Sequence, residues 1–423
     1  MPRFRDLLGL VVGSCVLLSG CGERLPTGTG GDLFPPGGRP ATVELASAAE
    51  SFVLLGRFSG YTGPQDAAFL LVANRFDGVL DATTLARFRN FPGFVNVSVG
   101  GTARVDSVFT YLSGRVVVPI DTAASEFAGP VTLELLALAN SPGADADFGR
   151  GGVNTAGARL LSSVRILPGR PAPRDSAVFN VDSLDVRQFT REDFPGLLVR
   201  ATESPARLQL GRLSLVTSVR PSQRPDTTIV QTVTGGPQTF VVSSEPPVPE
   251  NALVAGGLRS ARSLFRITLP ERVPAAPGDS RTVRIDSVTI NEAALLFDPV
   301  PVGGGWRPLG PVPLQLLQVA EPELGARAPL GDVVQDPAGL GQFGPVYPQI
   351  LYTPGETAPV VVRLTQHVRN VAARDTTARR REGLATTLAL LGQPEAATFG
   401  RAQFRLPPQL RLVYTVPAPS AQR

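Results

Sequence analysis

The sequence predicts an all-β protein: two tandem β-sandwich domains, jelly-roll-like, after a signal peptide and a flexible tether. Three observations predict this. Glycine and proline are frequent, at 44 and 41 of 423 residues, so turns should be many and long helices few. Apolar and polar residues alternate with a period of two in Arg207–Leu210 and Leu213–Leu215, which places one face of each strand in a core. The chain also repeats itself.

The repeat consists of seven short segments that recur in the same order. The clearest is Arg104–Val108, which returns as Arg284–Val288. Offsets between paired segments lie between 179 and 197 residues. Because ordered matches indicate two copies of one fold, we predict a first β-sandwich over residues 41–222 and a second over 223–418. The other pairs are Ser51–Leu54 with Thr239–Val242, Leu71–Ala73 with Leu253–Ala255, Thr84–Phe88 with Ser263–Ile267, Gly129–Leu136 with Gly310–Leu317, Leu210–Arg212 with Phe399–Arg401, and Leu215–Val216 with Leu412–Val413.

Local features refine this picture. Gly211 interrupts an alternating run and predicts a bulge. Thr365–Ala372 and Leu384–Leu391 are the better candidates for short helices. Two long Gly/Pro-rich insertions, Asn140–Arg174 and Glu321–Thr357, follow matching strands and are expected to line any ligand groove. The last residues, 419–423, are expected to be a disordered tail.

The N-terminus predicts export and lipid attachment. Two arginines precede an apolar run of 12 residues, Leu7–Leu18, which is too short to span a bilayer and fits a cleaved signal over residues 1–20. The end of this run, Leu18–Cys21, resembles the lipobox of bacterial lipoproteins. We therefore predict cleavage before Cys21 and transfer of a diacylglyceryl group to its thiol, with palmitate among the attached acyl chains. The alternatives are an ordinary signal peptide with an incidental cysteine, or an uncleaved anchor.

The residues after Cys21 bear on location. Gly22 follows the cysteine, and by resemblance to enteric lipoproteins the lack of an aspartate there favours the outer membrane. Residues 21–40 are rich in Gly, Pro and Thr and predict a solvated tether with a reach of roughly 24 Å. The expected partner is membrane lipid through Cys21, with an envelope protein or polysaccharide as a further partner.

Composition excludes several classes of function. The only cysteines are Cys15, inside the signal, and Cys21, so the mature chain has no thiol for a disulfide, an iron–sulfur cluster or a nucleophile. All 40 basic residues are arginine, and the net charge of +4 is scattered along the chain, so we expect no nucleic-acid partner. Without lysine there is no P-loop, and we expect no cofactor.

The candidate catalytic residues favour a protein that is not an enzyme. His367 is the only histidine, and no Gly-x-Ser-x-Gly elbow accompanies it, so we interpret it as a packed or surface side chain. Asp106 and Asp286 are the tempting carboxylate pair for a glycosidase. They occupy the same place in both copies, and we therefore interpret them as hydrogen-bond acceptors at turns or strand edges. A carboxylate-dependent polysaccharide hydrolase or lyase is the third hypothesis.

Aromatic residues in loops suggest a binding site. Trp306, the only tryptophan, follows a glycine run, and Tyr347 and Tyr352 lie in the second long insertion. An exposed indole there would stack on a sugar ring, whereas an indole that plugs the end of its own sandwich is the structural alternative. The sequence thus predicts a structural or protein-interaction role, with surface glycan binding through these three residues as the alternative.

Two charged loops are candidates for ion or headgroup sites. Asp145 and Asp147 loosely resemble a calcium loop, but they lack the third ligand and the bidentate glutamate. Arg379–Arg381 is a basic run that could touch an acidic polysaccharide or a lipid headgroup, and a solvated loop is the simpler interpretation. We assign no metal to either loop.

The second copy resembles the DNRLRE-type jelly-roll modules of exported bacterial proteins. The residues that carry the resemblance are Ser263–Ile267, Ile285–Leu296 and the closing Pro408–Tyr414. The resemblance covers most of the second copy and little of the first. The chain departs from the family over Val362–Ala372, where a tryptophan usually follows and His367 stands here. Since some relatives bind polysaccharide and others build surface structures, the resemblance implies a jelly roll more firmly than a ligand.

Overall fold

The computed structural model describes residues 39–45, 51–140, 155–168, 176–242, 249–276, 278–342, 344–374, 383–393, 395 and 398–417. These residues are mostly β-strands, which confirms the predicted all-β class. The chain divides into two compact units. Among the described residues, those within 44–270 and 292–412 form the large unit, and residues 39–43, 271–291 and 413–417 form the small unit.

The described part of the chain up to residue 242 contains strands β1 to β15 and helix α1. Their bounds are β1 Arg39–Leu45, β2 Phe52–Phe58, β3 Leu70–Phe76, β4 Leu80–Ala86, β5 Val95–Val99, β6 Thr102–Asp106, β7 Phe109–Phe127, β8 Val131–Ala137, β9 Arg159–Ile166, β10 Ser176–Asp182, α1 Ser183–Phe189, β11 Leu197–Glu203, β12 Ala206–Leu210, β13 Ser214–Pro221, β14 Ile229–Val233 and β15 Gln238–Val242.

The described part from residue 249 onward contains strands β16 to β29 and helix α2. Their bounds are β16 Ala252–Gly256, β17 Arg262–Thr268, β18 Arg272–Pro274, β19 Thr282–Arg284, β20 Thr289–Phe297, β21 Val312–Val319, β22 Leu330–Val333, β23 Gly339–Gly341, β24 Gly344–Val346, β25 Ile350–Tyr352, β26 Val360–Arg363, α2 Thr365–Ala372, β27 Ala385–Gly392, β28 Arg401–Arg405 and β29 Gln409–Val416. Short 3-10 turns lie at Pro64–Asp66, Ile285–Ser287, Gly304–Trp306 and Pro322–Arg327.

The sheets of the two copies have the same strand order. An eleven-stranded sheet contains the series β15-β4-β11-β8-β9, and a six-stranded sheet contains β2-β17-β27-β21-β22. Likewise, β14-β13-β7-β10 corresponds to β1-β29-β20-β26. Helix α1 follows β10 directly, as α2 follows β26. The two halves of the chain thus share these two series of paired strands, while the division into two domains stays a prediction.

The copies exchange their first strands. Strand β2, from the start of the chain, pairs with β17, so that Phe52 lies opposite Ile267. Strand β15, from beyond the predicted boundary at 222/223, pairs with β4, so that Phe240 lies opposite Thr84. Strand β14 likewise pairs with β13. Strand pairing thus crosses that boundary in both directions, because alternation determines which face of a strand is buried but not which neighbour it joins.

Each exchanged strand brings a phenylalanine into its host sheet. Phe240 is fully buried and stacks on Phe69 with ring centroids 5.6 Å apart. Phe52 is also buried and stacks on Phe265 at 5.3 Å. Aromatic pairs at such distances add to the stabilisation that comes from buried area. The exchanged strands are therefore part of the cores that they join.

One predicted helix is correct and the other is wrong. Thr365–Ala372 forms α2, as predicted. Leu384–Leu391 instead supplies β27, which lies between β17 and β21 and is buried along almost its whole length. A strand covered on both faces shows a continuous apolar run, and such a run cannot be told from a buried helix by its period. Helix α1 was not predicted.

Gly211 does not form the predicted bulge. It ends β12, and its N–H donates to the carbonyl of Pro119 at 2.9 Å. A Cβ at this position would lie 3.0 Å from that of Pro119, so the residue is small because the chains approach closely. The register shift of this ladder lies earlier, between Arg207 and Gln209. Gly400 precedes β28 whereas Gly211 follows β12, so this repeat match is not a structural equivalence.

The described parts of the two long insertions contain strands. Asn140–Arg174 contains β9, which pairs with β8, and Glu321–Thr357 contains β22 to β25. Strand β1 begins at Arg39, inside the last two residues of the predicted tether. The predicted signal, Cys21 and the predicted tail lie outside the described residues. Within the described part, no helix has the length and apolar character that a bilayer span requires.

The small unit contains a hairpin and a closing tyrosine. Strands β18 and β19 pair antiparallel, with Val273 opposite Val283. The hydroxyl of Tyr414 donates to the carbonyl of Pro274 at 2.7 Å, and burial raises the pKa of this phenol. The hydrogen bond ties the final strand to the hairpin.

Candidate functional site

The candidate site is built around a buried arginine in the large unit. Arg207 lies in β12 and is only 2% exposed. Its Nη1 donates to the carbonyls of Gly305, at 2.9 Å, and Arg307, at 2.5 Å. These bonds hold the 3-10 turn Gly304–Trp306 against β12. The turn is tight: a Cβ on Gly305 would lie 2.5 Å from the Cβ of Leu80, so the position requires glycine.

Aromatic rings surround the guanidinium of Arg207, and a second arginine contacts one of them. Trp306 stacks on Phe399, with centroids 5.3 Å apart and planes 9° from parallel. The Cζ of Arg207 lies 4.4 Å from the centroid of Phe399 and 5.1 Å from that of Phe76. Arg307 in turn lies over Phe76 at 5.4 Å. Cation–π contacts of this kind stabilise a guanidinium most where water is excluded.

The two arginines differ in their ion pairs. Arg307 contacts Glu126, with Nη2 and Oε1 2.6 Å apart, and Asp77, with Nε and Oδ2 3.4 Å apart. No carboxylate of the described residues lies within 4.0 Å of Arg207. Burial first, and the neighbouring Arg307 cation second, lower the pKa of Arg207 to about 10. The carboxylates of Glu126 and Asp77 act in the opposite direction from beyond ion-pair distance and raise this pKa, so the group remains charged at neutral pH.

A groove of about 310 Å³ opens beside this arginine. Arg207 contributes to its lining together with Phe69 and Phe399. Segment 308–313, which contains three prolines and runs into β21, also lines the groove. The groove thus combines a buried cation with a mainly apolar surface, which is the composition of a site for an apolar anion.

The three aromatic residues expected to bind a glycan do not form a sugar platform. Trp306 is 4% exposed and packs inside the cluster, as the structural alternative expected. Tyr352 is 2% exposed, and its hydroxyl donates to the carbonyl of Val300 at 2.8 Å. Tyr347 is half-buried in the segment between β24 and β25. Because an indole or phenol must expose a ring face to stack on a sugar, glycan binding through Trp306 and Tyr352 is wrong for this structure.

Asp106 is a structural acceptor, as interpreted from the repeat. The carboxylate is 1% exposed; Oδ1 accepts from the backbone N–H of Val108 at 2.9 Å and Oδ2 from that of Gln223 at 2.8 Å. The hydroxyl of Ser222 also donates to it. These donors, with the Gln223 N–H contributing most, lower the pKa of Asp106. The carboxylate therefore fastens the end of β6 to the chain that follows β13.

Asp286 and His367 also have structural surroundings. Asp286 lies in a 3-10 turn and forms a bidentate ion pair with Arg284, at 2.8 and 3.1 Å. His367, in α2, places Nε2 3.0 Å from the hydroxyl of Thr386 in β27. Burial first, and the cation of Arg374 second, lower the pKa of His367 to about 4. The imidazole is neutral at pH 7 and joins the helix to a central strand.

Two further predicted sites lie outside the described residues. These are the Asp145 and Asp147 loop and the basic run Arg379–Arg381. Among the residues that are described, no three His, Cys, Asp or Glu side chains come together in a way that could hold a metal ion.

Sequence reasoning missed Arg207. In the alternating run Arg207–Leu210, the pattern assigns Arg207 and Gln209 to one polar face. Gln209 is half-buried, but Arg207 is enclosed, because Phe399 and the turn at Gly305 cover it. Those residues lie far along the chain, so no local signal identifies the site.

Comparisons with known proteins add little. No family model matches the chain, and no curated protein matches it. Among solved structures, it is similar to the C-terminal domain of the AgI/II polypeptide BspA from Streptococcus agalactiae, at 10% identity over 71% of this chain and 75% of that one, with a TM-score of 0.15. A second BspA C-terminal structure gives 10% identity over 78% and 90%, with a TM-score of 0.14. So slight a likeness supports no statement about function.

Proposed function

We propose that this chain is a non-catalytic lipoprotein of the cell envelope with a structural or protein-interaction role. The proposal rests on one observation: the candidate catalytic side chains form hydrogen bonds that hold the fold together. Asp106 accepts hydrogen bonds that join two segments more than 110 residues apart, and His367 joins α2 to β27. Side chains committed to such bonds serve the fold, because moving them would leave buried partners unsatisfied.

The proposed location follows from the sequence around Cys21. Acylation of that thiol would hold the folded part on a membrane, and Gly22 favours the outer membrane. Two acyl groups or more give stable anchoring, whereas a single chain binds reversibly. Membrane lipid is thus the first proposed partner, and an envelope protein is the second.

The anchoring proposal is tested by acylation of the full chain in a bacterial host. We expect a labelled palmitate analogue to appear on the wild-type protein, which should sediment with membranes. Cys21→Ser should abolish both the label and the processing before residue 21, while the matched variant Cys15→Ser, inside the signal, should retain both. An unlabelled wild type, or a Cys21→Ser variant that is still labelled and processed, would contradict the proposal.

The absence of catalysis is tested separately with a panel of acidic and neutral polysaccharides. We expect no release of reducing ends or unsaturated products by the purified mature protein. Turnover that disappears in folded Asp106→Asn or Asp286→Asn variants would instead establish the hydrolase or lyase hypothesis. Circular dichroism of each variant shows whether it is folded.

A further inference from the structure

The guanidinium of Arg207 beside the groove has no carboxylate of the described residues within ion-pair distance, although Glu126 and Asp77 act on it from farther away. This guanidinium bonds to two carbonyls through Nη1 alone, and the nearby carboxylates of Glu126 and Asp77 pair with Arg307 instead. Buried charges in proteins are normally paired with an opposite charge, since desolvation without a partner is costly. An anion that enters the groove would supply this partner.

The rest of the groove favours an anion with an apolar body. Its lining includes Phe69, Leu71 and Phe399 together with the prolines of segment 308–313. Its volume of about 310 Å³ is at the small end of the range for ligand sites, roughly 300–1,000 Å³. The groove therefore fits a few apolar groups attached to one negative charge, not an extended polymer.

We propose that this groove binds the C-terminal carboxylate of a partner polypeptide that ends in apolar residues. This inference rests on the proposed interaction function and names the chemistry of the partner. The guanidinium of Arg207 would pair with the terminal carboxylate, and Phe69 and Phe399 would contact the last side chains. Peptide groups need polar partners, and the side-chain carbonyl of Gln209, whose Nε2 donates to Asp121, and the exposed backbone at Gly310 provide them. A bare alkyl chain would leave these groups unused.

The test uses the single tryptophan as a reporter. Trp306 stacks on Phe399, which lies against Arg207, so occupation of the groove should change the indole fluorescence. The mature full chain is titrated with acetyl-Ala-Leu-Val as the free acid, with the same peptide as its C-terminal amide, and with octanoate. We expect the free acid to bind at least about tenfold more tightly than the amide, because a charged hydrogen bond is lost. Equal binding of acid and amide, or no binding by either, would overturn the proposal.

Variants at the rim test the position without disturbing the core. A Cβ on Gly310 meets no atom within 4 Å, so Gly310→Glu should fold and place a competing carboxylate in the groove. We expect it to weaken binding of the free acid at least about tenfold relative to Gly310→Gln. Gly303→Glu is the matched control: its site is equally open and outside the groove lining, and it should bind as wild type. Loss in Gly303→Glu equal to that in Gly310→Glu would overturn the assignment of the groove.

The octanoate titration distinguishes the source of the carboxylate. Octanoate that binds as tightly as the peptide acid would overturn the polypeptide partner in favour of a small organic acid. Failure of every probe, with normal acylation at Cys21, would remove this inference while leaving the envelope proposal in place.

Discussion

Strand exchange between the two copies predicts a crossed effect of two core substitutions. Phe240→Ala removes a fully buried ring that stacks on Phe69, and Phe52→Ala removes the matching ring that stacks on Phe265. Truncation of a buried phenylalanine costs about 3–5 kcal/mol, through lost burial and the cavity left behind. Because β15 belongs to the sheet of β4, Phe240→Ala should loosen strands near residue 84, although residue 240 is much closer in sequence to β17.

Hydrogen exchange measured by mass spectrometry can separate the two sheets. If local opening controls exchange, a loss of about 3 kcal/mol speeds it roughly 150-fold in the affected strands. We expect Phe240→Ala to raise exchange in β4 and β11 and to leave β17 and β27 near the wild-type rate. Phe52→Ala should have the opposite pattern, so each variant serves as the control for the other.

The reasoning would be refuted by an uncrossed result. If Phe240→Ala loosened β17 and β27 while β4 and β11 kept their protection, β15 would belong to the sheet of its own copy. Equal loosening of both sheets by either variant would show that the two sheets open as one cooperative body. The pairing of β15 with β4 would then need a direct test by cross-linking these two strands.

The polar side chains and the tight glycine turn described above give three further predictions. Because the folded pKa of His367 is about 4 and its ordinary value is 6.5, its neutral form stabilises the fold fully above pH 6.5 and this contribution is lost as the pH falls toward 4. His367→Gln should remove roughly 2–3 kcal/mol of acid sensitivity over this window in urea titrations, and an unchanged pH profile would contradict the assignment. Asp106→Asn should lower the melting temperature more than Asp286→Asn, since the hydrogen bonds of Asp106 join two distant segments whereas the ion pair of Asp286 with Arg284 is local, and equal effects would argue against this. Gly305→Ala should destabilise by about 1–3 kcal/mol, because its Cβ would lie 2.8 Å from the carbonyl oxygen of Phe76, whereas Gly303→Ala should be near neutral. A well-tolerated Gly305→Ala would show that the turn at Trp306 can shift.

The repeat also contains information about the helices. Helix α2 was predicted and α1 was not, yet Ser183 precedes Thr365 by 182 residues, which lies inside the range of the other offsets. Both helices also carry a Val-Arg pair, at Val186-Arg187 and Val368-Arg369. The repeat alone would have located α1, because two copies of one fold place the same element at the same offset.

Other features could not have been predicted from the sequence. The exchange of β2 and β15 depends on pairing between distant strands, which alternation leaves open. The burial of Arg207 depends on carbonyls about 100 residues later in the chain. Long-range contacts determine both the strand exchange and the burial of Arg207, whereas local alternation was sufficient to predict that strands form.

The exchange of β2 has a consequence for a protein that would be threaded through a membrane from its N-terminus. The residues that arrive first are held back from their partners longest, since more than 200 residues separate Phe52 from its neighbour in β17. Pairings so distant in sequence close slowly and leave apolar edges open in the meantime. Newly delivered chains would therefore carry an unmatched β2 until the second copy emerged, and a periplasmic chaperone that shields this segment would raise the yield of correctly folded molecules.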